Sequence, residues 1–360
     1  MQPKSSDRQS MIVWVLLVIV GAILCIVGWY RFIAHAQEHG SWRDPSPHHV
    51  QFVTVEEGVR LEVLDWRGSG RPVVLLAGSG NTAHVFDDFA PKLTDCCHVY
   101  GVTRRGYGES SHPESGYDDQ RLADDVFQVL KVLKIDKPIL AGHSMAGGEL
   151  TTLGNQHSDR LAGLVYLDAL ADPRDFPASD PAFMALFRNL PAPMREPPPL
   201  DYSSFSAYRA AQMRNKQGVL PESELRQGFV ANPDGSMGGY KASTAAIHNA
   251  IGDGAKKRDY SAIRVPVLVL AERPRIIGVD PPQPDDYQPK NEEERAAIEA
   301  FNRALVPYAE RATKNLQHSV PDARLVDLPG AGHFVFLTRE AEVLQELRKF
   351  VAGVRSGGRR

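Results

Sequence analysis

Cysteine is nearly absent from this chain, with three residues in 360, at positions 25, 96 and 97. So few thiols exclude a disulfide framework, and stability must come from a buried core. Cys96 and Cys97 are adjacent, a spacing that rarely allows a strain-free bridge, and Cys25 lies in an apolar run. No C-x-x-C pair or His-rich spacing accompanies them, so the pattern predicts ordinary thiols and no metal site. Concentrated positive charge is missing too. The formal net charge is −3 and there is no internal Lys/Arg cluster, which argues against a nucleic-acid partner because phosphate binding needs dense positive charge. Internal repeats are also lacking.

What remains is material for one large globular domain, or for a domain carrying an insertion. Residues 1–10 are a short flank to "MIVWVLLVIVGAILCIVGWY" (11–30), an uncharged apolar run of about the length that crosses the ~30 Å hydrocarbon core as a helix. Trp29 and Tyr30 fall at interface level. The run predicts a single-pass membrane anchor. Lys4 and Arg8 on one side, against Arg31 and Arg43 on the other, bias the N-terminus weakly to the cytoplasm and the folded domain outside it. The rival expectation is a signal peptide cleaved near "AHA" (34–36) and a secreted product, although such apolar regions usually run only ~7–15 residues. Residues 31–49 read as a linker, and 355–360 as a solvated tail.

From Val50 onward the texture is that of a folded domain. "QFVTV" and "VRLEVLDW" flank a glycine turn and predict an opening hairpin. Short apolar runs follow: "VVLLAG" (73–78), "HVYGV" (98–102), "PILAG" (138–142), "LAGLVYL" (161–167), "VPVLVL" (265–270) and "ARLVDL" (323–328). Such runs suit strands buried on both faces of a parallel sheet. Between them, "AHVFDDFAPKL" is compatible with a helix, and "DDQRLADDVFQVLKVLKI" places apolar residues at 122, 126, 129, 130 and 133, a helical spacing. The alternation predicts the α/β class, a mostly parallel central sheet with flanking helices. Residues 172–264 are too long for a simple crossover, are rich in proline, and hold helix-compatible stretches near 203–215 and 239–251. They read as a helical cap insertion that divides the core into 50–171 and 265–354. Residues 273–290 predict a loop, and "NEEERAAIEAFNRALVPYAERATKNL" an amphipathic helix capped by Asn291.

The chemistry gathers at "PILAGHSMAGGEL" (138–150). By composition alone, a G-x-S-x-G/A pattern arises in roughly one chain of this length in four, so its setting must decide. Ser144 follows a buried strand and precedes a helix-capable stretch, which is the strand–turn–helix setting of a nucleophile elbow. An elbow strains its serine and needs small neighbours two residues away on either side, met here by Gly142 and Ala146. A serine hydroxyl needs a base to take its proton. Of the twelve histidines, His333 is preferred because it follows the last strand within "GAGH"; His143 is expected to pack beside the sheet, and surface or structural roles suit His248 and His318. Glu149 reads as a structural carboxylate favoured by the helix dipole.

Four stretches in order resemble the α/β-hydrolase superfamily over roughly residues 50–352. "LLAGSGNTAHVFDDFAPKL" is similar to the oxyanion loop and its following helix, and "TRRGYGESS" to the loop after the next strand. "GHSMAGGEL" resembles the elbow, and "LPGAGHFVFL" the final strand with its histidine loop. The resemblance implies Ser144 as nucleophile, His333 as base and an oxyanion hole from the backbone N–H groups of Ser79 and Met145. The family commonly has His-Gly where this chain has Ala77-Gly78. Relatives often place the triad acid a few residues beyond the strand matching "VPVLVL", where this chain reads "AERPRIIG". Others place it after the preceding strand, and Asp168 stands there. Asp168 is the preferred acid, with Asp172, Glu272 and Asp280 as alternatives.

The function so implied is a membrane-anchored serine hydrolase, foremost a carboxylesterase forming an acyl-enzyme on a small-molecule ester, with no metal or organic cofactor. Amidase, peptidase, lipase and haloperoxidase-like chemistry stay open, as do a non-catalytic binding module and a lipid-surface protein. A serine at the elbow disfavours relatives with an aspartate nucleophile, such as epoxide hydrolases and haloalkane dehalogenases.

Overall fold

The computed structural model describes residues 42–170, 180–196, 199–214, 218–241, 244–273 and 287–354. Of these, the residues within 46–232 and 236–354 belong to one compact unit, and residues 42–45 with 233–235 to another. All elements below lie in the larger unit.

The six apolar runs become adjacent strands of an eight-stranded sheet. The strands are β1 (His49–Glu56), β2 (Val59–Arg67), β3 (Arg71–Leu76), β4 (Cys97–Val102), β5 (Ile139–His143), β6 (Gly163–Leu167), β9 (Val267–Arg273) and β10 (Arg324–Pro329). Their order is β1-β2-β4-β3-β5-β6-β9-β10. β1 pairs antiparallel with β2, and β2 with β4; all remaining pairs are parallel. The hairpin β7 (Phe229–Ala231) and β8 (Met237–Tyr240) forms a separate two-stranded sheet.

Side chains alternate across a strand, so each central strand feeds two cores. Val73, Leu75, Ile139, Ala141, Val165 and Leu167 join one buried cluster; Val74, Leu76, Leu140, Leu164 and Tyr166 join the other. This two-sided burial is why these strands read as unbroken apolar runs rather than as alternating ones. Truncating a fully buried residue such as Leu75 to alanine would cost about 2–5 kcal/mol.

Helices cover both faces: α1 (Asp119–Val132), α2 (Gly147–His157), α7 (Glu292–Ser319) and α8 (Glu340–Gly353). Asp118 starts α1 by accepting from the N–H groups of Gln120 and Arg121, and Asn291 starts α7 by accepting from Glu294 N–H. Between β6 and β9 lie α3 (Pro181–Asn189), α4 (Phe205–Arg214), α5 (Glu222–Gly228) and α6 (Thr244–Gly254), with the β7–β8 hairpin between the last two. The stretch "AHVFDDFAPKL" differs from expectation: it forms two short 3-10 turns, Ala83–Phe86 and Ala90–Leu93, instead of one helix. Pro91 offers no N–H to continue an α-helical ladder, and Asp87 turns its carboxylate to side-chain partners.

The predicted membrane location is corrected by the fold. Among the described residues no helix is long and apolar enough to cross a membrane. The 28-residue α7 has the length, but Glu293, Arg295, Glu299, Arg303, Arg311 and Lys314 interrupt it with charge. The run at 11–30, on which the anchor, the extracytoplasmic domain and the secreted alternative all rested, lies outside the described residues.

Candidate active site

Strand β3 connects onward to β4 on one side, and β5 to β6 on the other. Such a reversal opens a crevice at the carboxyl ends of the two strands, the usual ligand position in open α/β sheets. Gly78 and Ser79 lie just beyond the end of β3, and Ser144 just beyond β5.

Ser144 has φ of 55°, a left-handed conformation costly for a residue with a Cβ, and begins a one-turn 3-10 helix that runs into α2. Two glycines permit the turn. A Cβ on Gly142 would meet Leu150 Cδ1 at 2.9 Å and Ala146 Cβ at 3.0 Å, so the methyl of Ala146 fits because position 142 has none. A Cβ on Gly78 would meet His143 Nδ1 at 2.8 Å and Ser144 Cβ at 3.1 Å. The loop after β3 therefore runs directly against the serine.

The structure brings together three of the residues singled out from sequence. His333 Nε2 lies 2.7 Å from Ser144 Oγ, and His333 Nδ1 lies 2.6 Å from Asp168 Oδ2. Asp168 follows β6 with φ of 46°, and its second oxygen accepts the backbone N–H of Glu272 at 3.1 Å. Glu272 thus serves Asp168 through its main chain. Its own carboxyl is pushed up to about 7 by burial and then by the negative charge of Asp168. Asp172 and Asp280 lie outside the described residues. Ser79 stands beyond β3, and Met145 follows Ser144 and packs against a buried cluster of Tyr107, Tyr117, Leu122, Ile247 and Ile251.

Of the other groups near the site, His143 packs as the sequence predicts, whereas the contacts of His248 and Glu224 carried no readable signal there. His143 is buried against Phe334 and Phe336, and its Nε2 donates to the main-chain carbonyl of His333 at 2.9 Å. Burial, assisted by His333, lowers its imidazole to about 3. From α6, the exposed His248 hydrogen bonds through Nδ1 to the hydroxyl of Ser79. From α5, the buried carboxylate of Glu224 accepts from Asn81 Nδ2 at 2.8 Å, Thr82 Oγ1 at 2.5 Å and Thr82 N–H at 3.2 Å. Burial pushes Glu224 up to about 7 against the pull of these donors. His318 is exposed at the end of α7.

Ligand-type side chains also meet at His48, His84 and Asp87. The Nδ1 atoms of the two histidines face Asp87 at 2.8 and 3.0 Å, and Ser223 donates to the same carboxylate at 2.6 Å. These bonds hold Asp87 below the usual carboxylate range although burial acts the other way.

Residues 73–346 match the model of a family described as "Alpha/beta hydrolase family". The AB hydrolase superfamily protein YisY of Bacillus subtilis is 26% identical over 310 residues, covering 83% of this chain and 98% of that protein. The non-heme chloroperoxidase CPO-A1 of Kitasatospora aureofaciens is 35% identical over 120 residues, 32% of this chain. Epoxide hydrolase A of Mycobacterium tuberculosis is 34% identical over 134 residues, 36% of this chain. This chain spans less than half of these last two, 43% and 42% of their lengths. Among solved structures, E-2-(acetamidomethylene)succinate hydrolase superposes with a TM-score of 0.59 at 19% identity, covering 85% of this chain and all of that one.

Proposed function

The chain belongs to the alpha/beta hydrolase family, and from that premise we propose that it is a serine hydrolase that cleaves carboxylic esters with Ser144, His333 and Asp168. The observation that carries this reading is the hydrogen-bonded series Ser144 Oγ, His333 Nε2, His333 Nδ1, Asp168 Oδ2, with contacts of 2.7 and 2.6 Å. His333 takes the Ser144 proton as Oγ attacks the ester carbonyl, and the oxygen of that carbonyl becomes an oxyanion held by the N–H groups of Ser79 and Met145. Collapse expels the alcohol, which receives the proton from His333, and leaves an acyl-serine. Water, deprotonated by the same imidazole, then releases the acid. Asp168 accepts the Nδ1 proton, fixes the ring, and stabilises the imidazolium formed in each half-reaction. Each step uses side chains and backbone groups only.

A second reading is haloperoxidase-like chemistry, favoured by the local similarity to the Kitasatospora chloroperoxidase. There hydrogen peroxide replaces water in the second half-reaction. The aspartate-nucleophile chemistry of epoxide hydrolases is disfavoured, because serine occupies the elbow here.

The test is hydrolysis of a p-nitrophenyl ester chain-length series by the full-length protein beside Ser144→Ala and Asp168→Asn, with peroxide-dependent halide oxidation measured in parallel. Activity lost in both variants supports the esterase reading. A wild type inert on every ester and unlabelled by a fluorophosphonate overturns it in favour of a binding scaffold.

A further inference from the structure

Two arginines stand side by side beyond β4 and do different work. Arg105 forms a buried structural pair, Nε and Nη2 donating to Asp125 at 2.6 and 2.7 Å and Nη2 approaching Glu56 at 2.9 Å. Arg104 is also buried, yet its guanidinium is turned to the loop after β3. Its Nη2 donates to the carbonyl of Ala77 at 2.9 Å, its Nη1 to that of Gly78 at 3.4 Å, and its Nε to Glu149 Oε1 at 2.5 Å. Glu149 lies in the first turn of α2, five residues on from Ser144, and is buried as deeply as its partner. It is therefore half of an internal ion pair and not merely a carboxylate suited to a helix start.

The connectivity of this pair matters more than its energy. The carbonyl of Gly78 and the N–H of Ser79 belong to one planar trans peptide unit, in which the two bonds point in opposite directions. A guanidinium that draws the Gly78 carbonyl to itself, a carbonyl shared with Asn81 N–H at 3.4 Å, turns the Ser79 N–H to the opposite side of the peptide. The same guanidinium, through Glu149, is tied to the helix that starts at the serine elbow and follows Met145. The two N–H groups of the oxyanion hole are thus on segments joined through one planar, forked cation, a geometry that a lysine cannot reproduce.

Building on the serine-hydrolase reading above, we propose that Arg104 and Glu149 are a positioning pair that sets the separation and direction of the Ser79 and Met145 N–H groups. Neither touches substrate. Their effect falls on the tetrahedral oxyanion, which demands donors aligned to its own position, and hardly at all on the bound ester. Retaining the charge pair is not explained by stability, since replacing a buried ion pair with apolar side chains of similar volume is often neutral or stabilising.

The experiment uses the full-length protein, the double variant Arg104→Met/Glu149→Leu, which strands no charge, and the single variant Arg104→Lys. Three quantities are measured: kcat and KM on the best p-nitrophenyl ester, affinity for a trifluoromethyl ketone that forms a tetrahedral adduct, and thermal midpoint. The double variant should lose about 10- to 100-fold in kcat and a similar factor in ketone affinity, with KM changed less than about threefold. Arg104→Lys should fall between it and wild type. If the double variant does not fold, Arg104→Lys alone decides the matter through the split between kcat and KM. Parent kcat and ketone affinity in a folded variant, or equal losses in ester binding and turnover, overturn the positioning role while leaving the esterase reading intact. A wild type inert toward esters and fluorophosphonate overturns that reading and this inference with it.

Discussion

His143 Nε2 donates to the main-chain carbonyl of His333 at 2.9 Å, so the residue before Ser144 holds the backbone of the imidazole that faces Ser144. A nitrogen bonded to a carbonyl must carry the proton, which leaves Nδ1 as the bare nitrogen; it has no hydrogen-bond partner among the described residues. With its imidazole lowered to about 3, His143 stays neutral through the whole neutral range. His143→Phe keeps an aromatic ring among Phe334 and Phe336 and deletes only the donor. We expect kcat to drop about tenfold or more, because small displacements of a catalytic group are costly, without any new inflection in the pH–rate profile between pH 5 and 9. Unchanged turnover would show that the loop holds His333 without this bond.

Glu272 gives a stability signature with a definite sign. Its carboxyl has an ordinary value of 4.5 and is raised to about 7 in the fold, by burial first and by Asp168 second. Between those values the folded chain holds a proton that the unfolded chain has lost, so stability falls as pH rises from about 4.5 to 7 and is flat with respect to this group above that. The penalty at pH 8 is on the order of 3 kcal/mol. Glu272→Gln should therefore raise the thermal midpoint at pH 8 and leave it nearly unchanged at pH 4.5, as followed by calorimetry across that range. Above pH 7 the ionised Glu272 also adds negative charge beside Asp168, so the variant should turn over a few-fold more slowly there.

Glu224 ties the segment between β6 and β9 to the loop that follows β3. Removing it in Glu224→Ala leaves the Thr82 hydroxyl, Thr82 N–H and Asn81 amide to find other partners, at about 1–3 kcal/mol for the buried donors. Glu224→Gln retains acceptor capacity and should lose much less. Denaturant unfolding of the two variants, with ester turnover in parallel, tests this; equal midpoints for alanine and glutamine would remove the bond from consideration.

How much of this was legible in the sequence follows from where each constraint acts. Ser144 was legible because strand, strained turn and helix are contiguous, and the small residues at 142 and 146 record the steric demand locally. The central strands were legible because burial on both faces leaves unbroken apolar runs such as Val73–Leu76. Asp168 was reachable only as one of several carboxylates, since the choice depends on which strand end faces His333 across 165 residues of chain. The Glu224–Thr82 and His248–Ser79 contacts join residues 142 and 169 positions apart. Each joins the loop after β3 to the segment between β6 and β9, so nothing local announces it. The pairing of Arg104 with Glu149 was hidden likewise, because an arginine and a glutamate each suit a solvated surface on sequence grounds.

The hydrogen bond between Ser79 and His248 makes a prediction that the backbone hole alone does not. The N–H of residue 79 survives a change of its side chain, so Ser79→Ala should still hydrolyse a small ester such as p-nitrophenyl acetate. What it loses is the link to α6, the helix that also contributes Ile247 and Ile251 to the cluster packed on Met145. His248→Ala removes the same link from the other side. If the bond acts as a unit, the two single variants and the double variant should show nearly the same kcat/KM on longer esters, a double-mutant coupling of about 0.5–3 kcal/mol. A coupling near zero, with the two losses simply adding, would mean that the hydroxyl and the imidazole act separately and that α6 does not steer the oxyanion loop through this contact.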